Sequence, residues 1–312
     1  MKYYLLILIL MAMVSCHNLT DQKSNSMENQ KVEELKNILN TQEKWIKVHA
    51  AEFLIWSDLE IDSVKEAFLY EEELFDTVAQ YRIGIWRVLN QASKSTAEKE
   101  IYLKKITTAF QAGPDSLHAL ETLAKLKQPI SIEQPQFATQ ILQAQEITSF
   151  EIYGLWNLYH DPKIDKAEII NRLIALLNDA KQSDLNKTII SYVLRYLEIS
   201  KNVQQKILQI NLDALSKPVQ LQLLATILIN FDLQKQEYGM YKQELLALKQ
   251  VPNYPPTVIL ALSAQDMPEN RAEIEQLASI LSDTTASTYN PDNHATANYA
   301  WLQFHRLVKN KN

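Results

Sequence analysis

Residues 47–54 read Lys47-Val48-His49-Ala50-Ala51-Glu52-Phe53-Leu54. The heart of this octet returns at 118–123 as His118-Ala119-Leu120-Glu121-Thr122-Leu123. The two histidines stand 69 residues apart, close to twice 35. Gly84-Ile85-Trp86-Arg87-Val88-Leu89 lies midway, and Tyr153-Gly154-Leu155-Trp156-Asn157-Leu158 follows 35 residues after His118. Weaker copies begin at Tyr192, Leu223, Thr257 and His294. Self-similarity at a fixed period is the mark of a repeat architecture. Between His49 and His294 there is room for about eight units with a mean period of 35.

Each unit holds two helical patterns. One is apolar almost all round, as in Leu221 to Ile229 or Ile83 to Leu89. The other is amphipathic: Ala167, Ile170, Leu173, Ile174 and Leu177 make one face, with Lys166, Glu168, Asn171 and Arg172 elsewhere. The first kind must be covered on several sides, and the second shows one face to water. Stacked helix pairs satisfy both demands, which predicts an all-α fold, an α-solenoid. No segment sustains a period of two, so no sheet is expected. All ten prolines fall at or after Pro114, most of them between apolar runs. Gly113-Pro114-Asp115 and Asn290-Pro291-Asp292 read as helix starts.

The chain has 312 residues, 46% of them hydrophobic and 22% charged, with a net charge of −6. The acidic balance argues against a nucleic-acid binder. Only four glycines occur. They stand far apart, at Gly84, Gly113, Gly154 and Gly239, so no glycine-rich phosphate loop or dinucleotide fingerprint forms and no cofactor is expected.

Lys47 to Leu54 resembles the second helix of a bacterial HEAT repeat, where a basic-Val-x-x-Ala-x-x-Leu pattern recurs. Residues 116–123 match it less fully, and the other units share its spacing and apolarity. The resemblance implies a HEAT-like α-solenoid of about eight helix pairs over 31–312. The tetratricopeptide signature of Trp, Leu-Gly, Tyr and Ala does not occur in register. Lys47 to Leu158 also resembles HEAT-type lipoproteins associated with polysaccharide-degradation gene sets, which implies a role in polysaccharide utilisation.

The start of the chain gives an address. Met1-Lys2 is followed by the apolar run Tyr3 to Val14, then by small Ser15 and by Cys16. This is the layout of a secretory signal, too short to span a membrane. Met13-Val14-Ser15-Cys16 resembles a bacterial lipoprotein box, with Met13 where leucine is usual. The resemblance implies a signal peptide over 1–15 and lipidation (palmitate among the acyl chains) of Cys16, the chain's only cysteine. His17 at the next position implies outer-membrane delivery in a Gram-negative cell. Polar residues 16–30 read as a flexible tether.

The candidate ligand or partner surface comprises His49, Glu52, Tyr81, Arg82, Trp86, Arg87, His118, Glu121 and Trp156. His49/Glu52 and His118/Glu121 are each i, i+3 pairs on one helix face. They stand two repeats apart, so they are not expected to share a metal. The column Glu52, Arg87, Glu121, Trp156, Arg195 instead predicts an ion-pair ladder between stacked repeats. Tyr81-Arg82 and Trp86-Arg87 combine the aromatic and arginine residues found at binding hot spots. These residue types also suit acidic glycans. Asn293 to Trp301 reads as a capping repeat with a polar outer face.

No catalytic motif appears: neither a Gly-x-Ser-x-Gly elbow nor a His-Glu-x-x-His is present. Three functions follow in order of preference. The first is a non-catalytic, lipid-anchored scaffold that binds another envelope protein through its solenoid surface. The second is a glycan-binding accessory lipoprotein of a polysaccharide-degradation system. The third is an α/α-toroid glycosidase or lyase. All nine residues are expected on one continuous surface of the N-terminal half.

Overall fold

The computed structural model describes residues 26–111 and 113–309, and no strand occurs among them. The signal peptide 1–15, Cys16 and residues 17–25 lie outside the described residues. Helix α1 covers 26–41. It is followed by α2 (Lys44–Trp56), α3 (Ile61–Phe75), α4 (Tyr81–Ala92), α5 (Thr96–Gln111), α6 (Ser116–Lys125), α7 (Pro135–Leu142) and α8 (Ser149–Leu158). The second half runs α9 (Lys166–Asn178), α10 (Asp184–Leu194), α11 (Lys201–Leu208), α12 (Lys217–Asn230), α13 (Lys235–Leu246), α14 (Tyr254–Ser263), α15 (Arg271–Ser282) and α16 (Pro291–Lys309). The chain is thus an all-α solenoid of eight helix pairs. Pro291 opens α16 as its sequence predicts.

The even-numbered helices form the inner wall. Each packs on the next, from α2 through α4, α6, α8, α10, α12 and α14 to α16. All eight repeat anchors, from His49 to His294, fall within these helices. The odd-numbered helices make the outer layer. Inner helices are touched on several sides, which is why α12 buries Val219 to Leu221 and Leu223 to Leu228. The outer helix α9 buries one stripe: Ile169, Ile170, Leu173, Ile174 and Leu177. The period is visible in the hydrogen bonds themselves. Arg87 to Glu52, Trp56 to Gln91, Thr226 to Ser191 and Lys206 to Asn171 each join residues 35 apart.

The solenoid does not stay open. Helix α16 packs on α2 as well as on α14, so the inner wall closes into a ring. At this seam His49 Nδ1 lies 2.8 Å from Asp292 Oδ1, and His294 Nε2 lies 3.0 Å from Glu34 Oε2. Arg306 pairs with Glu28 at 3.2 Å and donates to the Ser57 carbonyl. Phe53 and Tyr299 stack with centroids 4.7 Å apart and planes 11° from parallel.

Closure corrects two expectations. Residues 293–301 are not an exposed polar cap: His294, Thr296 and Asn298 are buried, because α16 is covered on both flanks. The predicted tether also ends early, since residues 26–30 belong to α1. Their helix is held by Gln30 and Lys31 on Glu34, and by Glu28 on Arg306.

Candidate functional site

Eight helices about 9–10 Å apart make a ring of ~12 Å radius, measured to the helix axes. Subtracting a helix radius of about 5 Å leaves a bore that long side chains can cross. The bore is walled by the repeat column. Arg87 Nε and Nη2 donate to Glu52 Oε1 and Oε2 at 2.6 and 2.9 Å, and Nη1 donates to Thr122 Oγ1 at 3.2 Å. Both partners are 3% exposed. Burial pushes the Glu52 carboxyl upward, but the Arg87 charge and its hydrogen bonds outweigh this and hold it below the usual carboxylate range. Burial opposes the Arg87 charge, and the Glu52 carboxylate more than restores it.

The predicted ladder has this one rung. Glu121 turns to Lys125 at 2.9 Å within its own helix. Lys125 in turn lies 5.9 Å from the ring centre of Tyr192 on α10. His118 stacks on Trp45 of α2, centroids 5.6 Å apart. Trp156 is fully buried against Tyr192 and Tyr196. His49, Glu52, Arg87, His118, Glu121 and Trp156 therefore belong to the inner wall and its bore.

Tyr81, Arg82 and Trp86 do not join them. The Tyr81 hydroxyl donates to Glu71 of the outer helix α3. Arg82 Nε donates to buried Asp115 at 2.7 Å. Trp86 is buried, with Lys105 of the outer helix α5 5.8 Å from its ring centre and Arg82 5.6 Å away. Successive helical residues point about 100° apart, so Trp86 faces the outer layer when Arg87 faces the bore. The single shared surface expected for all nine residues is not found: Arg82 and Trp86 turn to the outer layer, while Tyr81 reaches Glu71 there and also meets Trp45, on which His118 stacks.

A cavity of about 340 Å³ opens at the end of the bore where the inner helices finish. Phe53 and Trp56 of α2 line it on one side, Arg195 and Tyr196 at the end of α10 on the other, with Tyr299 and Gln303 of α16 between. Helices α2 and α10 stand four places apart in a ring of eight, so the cavity spans the axis. Trp56 and Tyr196 are 50% and 42% exposed. Trp56 meets Phe53 and Tyr299 edge-on at 5.7 and 5.8 Å. Its Nε1 donates to Gln91 Oε1 at 3.0 Å, and Gln91 Nε2 donates to Glu52 Oε1 at 3.0 Å. The buried ion pair thus orients a half-exposed indole at the mouth. Tyr196 stacks on Trp156 at 5.0 Å. Burial raises the Tyr299 hydroxyl above its ordinary value.

Arg195 stands in the repeat column read from the sequence, and Trp56 lies outside the predicted surface. Phe53, Tyr196, Tyr299 and Gln303 were not site candidates. Phe53 and Tyr196 stand at the ends of α2 and α10, whereas Tyr299 and Gln303 lie within α16, so only closure of the ring brings them together. Compared with known proteins, the chain matches no family model, no curated protein and no solved structure.

Proposed function

We propose that this chain is a non-catalytic binding ring that takes a saccharide at the mouth of its bore. The observation that carries the reading is the cavity walled by Phe53, Trp56, Tyr196 and Tyr299 from opposite sides of the ring. Aromatic faces cover the C–H faces of sugar rings, and a concave site with a few fixed polar groups is the usual form of a small-ligand pocket. The lipoprotein box at Met13 to Cys16 would hold the ring at the outer membrane, within a polysaccharide-degradation system. Among the described residues no helix is long and apolar enough to cross a membrane.

The test is a titration of the protein with a panel of neutral and acidic oligosaccharides, followed by tryptophan fluorescence. A saturable change that disappears in Trp56→Ala is expected. No change with any member of the panel would overturn the reading.

One observation favours a protein partner as a second reading. Leu69, Tyr70, Leu74, Phe75 and Val78 form an exposed apolar cluster on and beside α3. Such clusters mark interaction surfaces. An envelope protein bound there makes the ring a lipid-anchored scaffold. In-cell crosslinking of the anchored protein tests this: capture of one envelope protein that Tyr70→Glu abolishes is expected, and equal capture by the variant overturns it.

A further inference from the structure

We infer that Arg195 is a carboxylate-binding residue and that the saccharide held at the mouth is a uronic-acid type. The inference rests on the binding reading above and names its ligand class.

Arg195 lines the cavity, and its Nε and Nη2 are buried with no hydrogen-bond partner among the described residues. No ion pair forms on it there either. Its nearest electrostatic company is aromatic, with Tyr192 6.0 Å away from ring centre to guanidinium. Burial without a carboxylate pulls its pKa down, and Tyr196 and Tyr192 oppose this only in part. A buried cation with unpaired donors is among the more costly arrangements in a protein interior. Such a cost persists where a function requires it.

The fold supplies its own comparison. The sequence column pairs Arg87 with Arg195, although Arg87 lies within α4 and Arg195 just past the end of α10. Arg87 closes its Nε/Nη2 edge on both oxygens of Glu52. That edge matches a planar carboxylate with two parallel bonds. In Arg195 the equivalent donors have no protein acceptor. The backbone is meanwhile held by Asn230 Nδ2, which donates to the carbonyls of Leu194 and Arg195. A carboxylate there leaves the attached sugar ring between Tyr196 and Trp56, the two half-exposed aromatics across the mouth. The ligand thus carries an acid group at one edge and a C–H face for stacking.

The experiment compares a short polyuronate with its methyl ester by calorimetric titration of the full chain. Esterification removes the charge and keeps the ring. The acid is expected to bind roughly 10- to 100-fold more tightly, the range of one charge-assisted hydrogen-bonded contact. Arg195→Gln is expected to abolish that preference, and Arg195→Lys to restore part of it. Equal affinity of acid and ester in the unmodified protein overturns the inference while leaving the saccharide reading intact, and it needs no variant to fold. A stronger preference for a sulfated neutral sugar overturns the carboxylate assignment. Absence of binding by every neutral and acidic sugar overturns both.

Discussion

Arg87 grips Glu52 by both carboxylate oxygens, one repeat apart along the inner wall, with neither side chain exposed by more than 3%. The pair links neighbouring units of the ring and, through Gln91, orients Trp56 at its mouth.

Breaking that pair on one side leaves a buried charge. Arg87→Met is expected to lower stability by about 3–5 kcal/mol, and Glu52→Leu/Arg87→Met to recover most of the loss. Urea unfolding of the two variants checks this. A double variant as unstable as the single one would show that the polar chain to Gln91 and Thr122 matters more than the uncompensated charge.

Gln91 accepts the Trp56 indole N–H. Gln91→Leu should free that ring without removing it. Trp56 anisotropy should fall, and saccharide affinity should drop roughly 3- to 10-fold. Unchanged affinity would place Trp56 outside the binding contact.

The seam should respond to acid. Burial raises the Glu34 carboxyl, but bonds from His294 and Lys31 outweigh it and lower its pKa from 4.5 to about 2. A carboxyl depressed in the folded state contributes stability above its unfolded pKa. That contribution is lost as pH falls from about 4.5 to 2, and after discounting for partial exposure it amounts to roughly 1–3 kcal/mol. Glu34→Gln should be less stable at pH 7 and should flatten thermal melts over this window.

Two histidines act at a higher pH. Burial lowers His160 and His305 from 6.5 to about 4, with Lys127 and Lys166 adding to the effect on His160 and Arg271 on His305. Here the unfolded chain takes up the proton first. Stability present above pH 6.5 is therefore lost as pH falls towards 4, by roughly 1–3 kcal/mol for each residue. His160→Gln/His305→Gln should be nearly insensitive over that range in urea unfolding.

Glycines separate by position. A Cβ at Gly154 would lie 2.5 Å from Ile141 Cδ1 and 2.8 Å from Cγ1, whereas one at Gly239 meets nothing within 4 Å. Gly154→Ala should cost about 1–3 kcal/mol through crowding. Gly239→Ala should stabilise α13 by about 0.5–1 kcal/mol. Thermal melts of the two variants should move in opposite directions.

The helix pairs were legible because they rest on local periodicity. The apolar run 221–229 and the striped face from Ala167 to Leu177 separate inner from outer helices before any contact is known. Closure entered only with the third reading, the α/α-toroid, because it joins residues such as Glu34 and His294, 260 positions apart. Nothing at Asn293 to Trp301 distinguishes a polar cap from a buried seam until a partner is found for its flank. The same gap hid the mouth. Trp56 and Arg195 look like ordinary members of distant helices until the ring brings α2 opposite α10. Tyr81, Arg82 and Trp86 misled for the converse reason: Arg82 pairs with Asp115, and Trp86 is covered by Lys105, both inside the wall.

A linear stack of repeats tolerates gain or loss of one unit, because its ends are free. Eight units around a circle share the full turn, about 45° each, and the last must arrive where the first began. A ninth unit would overshoot the contact between Phe53 and Tyr299 by that angle, and a seventh would fall short of it. The number of repeats is therefore a quantised property of this chain, and small angular errors in any one unit accumulate at the seam.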